Sequence, residues 1–156
     1  MTRHSIICAV YGILSTDSTG GLFQNVGARA EILRIVNDSL NSGPIRVNEI
    51  AIKAAGKLIA RAEFSDDQDR SKVGQNLAAR LSPESPNELR ILGARMIKDL
   101  AKTYHGHVEQ DISVLSVPLV AGAKDKNREV KSASERALVH LLRIRSGIDH
   151  IQVTYF

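Results

Sequence analysis

The densest group of chemically capable side chains is the run KDKNREVK, where Lys124, Lys126, Arg128 and Lys131 fall within eight residues. Four cations this close can hold the phosphates of an RNA, or an acidic protein surface, by point-charge attraction. Asp125 and Glu129 dilute the charge, and the run also reads as a solvated turn. Other candidates fall short of a site. His105 and His107 in YHGH lack a third ligand at a metal-binding spacing. SDDQD supplies Asp66, Asp67 and Asp69 without the glycine and distal glutamate of a calcium loop. Cys8 is the only cysteine, which excludes an intrachain disulfide and a cysteine zinc cluster. It lies beside an apolar face with no identifiable base, so it reads as a structural thiol. There is no G-x-S-x-G elbow, and Gly20-Gly21 lacks the lysine of a phosphate loop. The expectation is a protein without catalysis, metal or cofactor.

The elements that position the cations follow from composition and period. The chain has 156 residues, 43% of them hydrophobic and 24% charged, enough for one domain with a substantial core. Three Phe, three Tyr and no Trp stand among plentiful Ala, Leu and Ile, which favours helices packed through small side chains. The net charge of +4 is mild for a dedicated nucleic-acid domain. No apolar run approaches the roughly 20 residues that span a bilayer. The start MTRHSIICAVYGILSTDSTGG lacks a convincing cleavage site and reads as helix rather than signal peptide.

One helical template recurs. Val130, Ala133, Ser134, Ala137, Leu138, Leu141 and Leu142 form a single face. The same spacing fits Leu89, Leu92, Gly93, Met96, Ile97, Leu100 and Ala101, and again Val47, Ile50, Ala51, Ala54, Ala55, Leu58 and Ile59. A shorter copy is Ile6, Ala9, Val10, Ile13 and Leu14. The anchors Ile6, Val47, Leu89 and Val130 lie 41, 42 and 41 residues apart. Weaker helices intervene: one with Val26, Ala30, Leu33, Val36 or Ile35, and Leu40; one with Val73, Leu77, Ala78 and Leu81; one with Ile112, Leu115 and Leu119, which Pro118 should kink. Each unit reads helix A, turn, helix B, the size of a HEAT or armadillo repeat.

The turns agree. Ser85 and Glu88 form a capping-box pattern with Pro86 at the first helical position, Gly43-Pro44 breaks the chain, and Gly106 suits a helix end. Asn127 has the chemistry of an N-cap, with Glu129 in the first turn. The expected architecture is all-α, a right-handed α-solenoid of three to four helix pairs in a single domain over 1–156. Its units are 1–16 (partial), 24–63, 68–105 and 110–145, with a partial helix at 147–156.

Taken in order, AKDKNREVKSASERALVHLLRIRSG, SPNELRILGARMIKDLAKTY and RHSIICAVYGILS resemble the last HEAT repeats of the general-control translational activator family. That resemblance implies a cytoplasmic scaffold acting in amino-acid starvation, with ribosomes and the initiation factor 2 alpha kinase pathway as partners. It carries direct kinase binding to no residue here. A generic HEAT adaptor in transport or phosphatase assembly is the other reading. The family protein is far larger, so the chain is expected to be a fragment, a short paralogue or an incomplete gene model. Since it starts inside a helix B, Ile6, Val10, Ile13 and Leu14 should lack a cover and drive self-association.

Overall fold

The computed structural model describes residues 2–16, 21–61, 64, 67–104 and 108–146; the side chains of Asp67, Arg145 and Ser146 are outside that description. The predicted helix at 147–156, the cap at Gly106, and His105 and His107 lie outside the described residues. The elements in order are α1 (Arg3–Thr16), the single turn α2 (Gly21–Gln24), α3 (Val26–Asn41), α4 (Ile45–Ile59), α5 (Asp67–Arg80), α6 (Asn87–Thr103), a 3₁₀ turn (Glu109–Asp111), α7 (Ile112–Gly122) and α8 (Arg128–Ser146). The described residues contain no strand. They divide into two compact units, residues 1–80 and 81–156.

In the first unit, α1 packs along α4 and against α3, while α5 packs against α3 and α4. The core is built from Ile7, Val10 and Leu14 of α1, Leu33, Val36 and Leu40 of α3, and Val73 and Leu77 of α5. They close on Ala51, Ile52, Ala54, Ala55, Leu58 and Ile59 of α4. The alanines let neighbouring backbones approach closely, so the helix buries well without large side chains. The α3–α4 turn needs glycine at Gly43, whose φ is +95°. Asn48 Nδ2 fixes that turn by donating to the Ser39 and Ser42 carbonyls at 2.8 and 3.2 Å.

A polar seam joins α3 to α5. Arg29 faces Asp69 at 3.7 Å, Asn76 Nδ2 donates to Asn37 Oδ1 at 2.8 Å, and Arg80 Nη1 donates to the Leu40 carbonyl at 3.4 Å. The hydrogen-bonded partners are 39 and 40 residues apart, close to one repeat length. At the seam's end, Phe23 and Phe64 meet edge to face with centroids 5.7 Å apart. Arg29 lies 4.9 and 5.4 Å from their ring centres, and Arg61 lies 5.3 Å from Phe23. Guanidinium over ring faces strengthens an aromatic contact. Arg70 donates to the Phe64 and Ile59 carbonyls at 3.1 and 2.9 Å, the latter at the end of α4.

In the second unit, α6 packs along α8, and α7 against α8. Leu89, Ala94, Ile97, Leu100 and Ala101 meet Val130, Ala133, Ala137 and Leu141 in a core that also holds Leu115 and Leu119. Asn127 caps α8 as predicted, accepting from the Val130 N–H at 3.1 Å. Two glycines are required by contact. A Cβ on Gly93 would stand 2.3 Å from Leu81, and one on Gly122 would stand 2.1 Å from Ser134 Oγ and 2.9 Å from its Cβ. Pro118 sits inside α7 and is buried there.

Several expectations need correction. In α1 the buried set is Ile7, Val10 and Leu14, so the stripe is turned from the one predicted. Val10 and Leu14 are covered by α3 and α4, while Ile6 and Ile13 stay half-buried. The predicted bare face of Ile6, Val10, Ile13 and Leu14 is therefore not present, which removes the ground for self-association through it. Val26 is 83% exposed and Ala30 is exposed, because α3 turns its Ile32–Leu33–Val36 side inward. Leu142 is 52% exposed. The capping box does not form. Pro86 has an extended ψ of 143° and itself occupies the cap position of α6, with no side-chain cap bond, so Ser85 stands one residue too early.

Gly122→Ala should cost about 1–3 kcal/mol through overpacking against Ser134. Gly12→Ala, at an exposed position of α1 with open space around it, should gain about 0.5–1 kcal/mol of helix propensity. Urea denaturation of both variants checks the pair of signs.

Candidate interaction surface

The α7–α8 turn is held by its own polar groups. The N–H of Lys124 donates to the Ala121 carbonyl at 3.2 Å, and that of Asp125 to Gly122 at 3.0 Å. Asp125 Oδ1 then accepts from the Asn127 N–H at 2.8 Å. From α6, Arg90 Nη1 donates to Asp125 Oδ2 at 2.7 Å, a short charge-assisted bond. The Arg90 side chain is 4% exposed, and its Nε and Nη2 are buried without hydrogen-bond partners among the described residues. Asp125 is thus the group that compensates a buried guanidinium, and it pins the turn to α6.

Around this brace, Lys124, Lys126, Arg128 and Lys131 are all exposed to solvent. None of the four makes an ion pair within 4 Å among the described residues. The structure brings them together as one rim of cations on a fixed turn; Arg128 and Lys131 are neighbours one helical turn apart. The acids interspersed in the sequence have their closest ion-pair partners on α6. Asp125 is taken by Arg90, and Glu129 Oε2 lies 3.9 Å from Arg95 Nη2.

Beside the rim runs a shallow groove of about 210 Å³ between α6 and α8, lined by Arg95, Lys98, Asp99, Glu129, Ser132 and Arg136. Sequence reasoning does not single out Arg95, Lys98 or Arg136. One signal is present: Arg95 and Arg136 are 41 residues apart, the same register position of two template helices. Among the described residues, no group of three or more His, Cys, Asp and Glu could hold a metal ion, and no helix is long and apolar enough to cross a membrane.

Comparison with known proteins gives three findings. A family model described as stalled ribosome sensor GCN1-like, HEAT repeats, matches residues 5–155. The chain is 26% identical over 156 residues to Protein ILITYHIA of Arabidopsis thaliana, an alignment covering 96% of this chain and 6% of that protein. No solved structure matches.

The Asp125 carboxyl is held below the usual carboxylate range, first by the Arg90 hydrogen bond and then by the Asn127 N–H. A depressed folded-state value stabilises the fold above the unfolded pKa of about 3.9. That stabilisation is lost as pH falls through the folded value. Thermal melts of wild type and Asp125→Asn should differ by a constant amount between roughly pH 5 and 7, with the variant lower. The gap should close in acid. Equal midpoints at neutral pH would contradict this role for Asp125.

Proposed function

The chain belongs to the GCN1-like stalled-ribosome-sensor family of HEAT repeats, and on that premise we propose that it is a segment of a non-catalytic, ribosome-associated scaffold. The carrying observation is the family match along residues 5–155. The chain spans 6% of the length of the curated relative it matches, so the activity of a whole protein of this kind is a proposal for this segment.

The geometry supports a presenting role. Helices stacked through small side chains hold their outer faces rigid, and a rigid face can meet a large partner with little ordering cost. The rim of Lys124, Lys126, Arg128 and Lys131 is the ribosomal contact in this reading, taking phosphates of ribosomal RNA. Arg90–Asp125 fixes the rim's position. Within the same reading the scaffold works in the cytoplasm. The resemblance to the translational activator family supports a role in activating the initiation factor 2 alpha kinase during amino-acid starvation, with contacts to the kinase made elsewhere.

Ribosome co-sedimentation at two salt concentrations tests this. The wild-type chain should pellet with ribosomes, and the pelleted fraction should fall steeply as salt rises. Replacing Lys124, Lys126, Arg128 and Lys131 with glutamate should weaken pelleting and flatten its salt dependence, by about one unit of slope for each phosphate no longer neutralised. A wild-type chain that stays in the supernatant at low salt would refute the ribosomal reading. Unchanged pelleting of the variant would place the ribosomal contact away from this turn.

A further inference from the structure

Nine of the fifteen residues of α4 are buried, so this helix keeps only a narrow strip for solvent. The strip holds Arg46, Lys53 and Lys57, all exposed, with Ile50 and Glu49 half-buried. At 100° per residue, the three cations lie within about 40° of one line, roughly 10 and 6 Å apart along the axis.

Their charge has no ion-paired counterpart among the described residues. Among the described residues, Arg46, Lys53 and Lys57 make no ion pair within 4 Å, and neither does Glu49, the helix's only acid. Glu49 stands four residues before Lys53, the favourable order for an i,i+4 pair, and still does not form one. Exposed charges on α3 behave differently: Arg34 is bonded to both Glu31 and Asp38. On α8, Glu129 and Glu135 alternate with Arg128, Lys131 and Arg136. Of the helices packed against α4, α1 supplies no counter-charge. α1 has no acidic residue, and 41 residues before the strip it shows solvent Ser5, Ala9, Gly12 and Thr16.

We propose that the strip Arg46–Ile50–Lys53–Lys57 is a docking surface for an acidic amphipathic helix of a protein partner. A helix laid along α4 repeats at the same period, so carboxylates at i, i+7 and i+11 meet the three cations in turn. An apolar side chain between them covers Ile50. Charge complementarity sets the orientation, and the small strip on α1 leaves room for the partner's flank. Ile50 decides between partner classes. A phosphate backbone would meet the cations but offers nothing to an isoleucine, and the strip has no aromatic ring on which a base could stack. The proposal does not rest on the ribosomal reading.

The test uses the full chain and two fluorescent probes, at two salt concentrations. One is a synthetic amphipathic helix carrying glutamate at i, i+7 and i+11 with leucines between; the other is a uridine-tract RNA. The peptide should bind, and a variant with Arg46→Gln, Lys53→Gln and Lys57→Gln should bind it about tenfold or more weakly. Ile50→Thr should weaken the peptide as well. Far-UV melts confirm that the variants fold, and the glutamate variant of the Lys124–Lys131 rim should bind the peptide as wild type does. RNA binding tighter than peptide binding, and abolished by the three glutamines, would overturn the proposal in favour of a phosphate site. A peptide that fails to bind, or that binds all variants alike, would show an ordinary solvated face.

Discussion

Close approach of helices through small side chains is the constraint on which the rest of the structure depends. α4 shows it most clearly. With Ala51, Ala54, Ala55 and Gly56 buried on one helix, α1, α3 and α5 can all pack against it. Large residues at those positions would hold the neighbours apart and open voids that interiors do not tolerate. Burial on this scale leaves a single strip for solvent, and the character of that strip becomes the character of the surface. In the second unit, Gly93 against Leu81 and Gly122 against Ser134 play the same part at single points.

Polar groups then set register, which apolar packing alone specifies weakly. The Arg29–Asp69, Asn37–Asn76 and Leu40–Arg80 contacts fix α5 along α3 at three places. Arg90–Asp125 ties a turn to a neighbouring helix at one buried point. A buried guanidinium stripped of its carboxylate is costly, so such a pair resists sliding even where its net stabilisation is small. The same brace that orders the fold also orders the cationic rim. Structure and proposed function therefore share one group.

Much of this is legible in the sequence. The 41- to 42-residue recurrence, the all-α class and the N-cap at Asn127 follow from spacing and side-chain chemistry. The errors have physical causes. Ile6 and Ile7 are adjacent and equally apolar, and α1 has too few charged residues to mark its wet side, so spacing alone puts the buried stripe one residue off. The Ser85–Glu88 pattern has the right residues, but the extended ψ of Pro86 moves the helix start past it. The Phe23–Phe64 contact and its arginines depend on segments meeting across 41 residues, which no local period reveals. As for the surface, a cation cluster in neighbouring residues is conspicuous, whereas Arg46, Lys53 and Lys57 are spread along a helix and stand out only once their lack of ion pairs among the described residues is known. Arg90 is similarly hidden: nothing local marks an arginine as buried.

Native-state hydrogen exchange tests the central claim most directly. If α4 is enclosed by α1, α3 and α5, its middle amides, from Ala51 to Leu58, should exchange only through global unfolding of the first unit. They should be the slowest in residues 1–80, with an opening free energy equal to that from denaturant unfolding. Amides of α4 exchanging as fast as those on the open side of α1 would contradict the packing from which the rest follows.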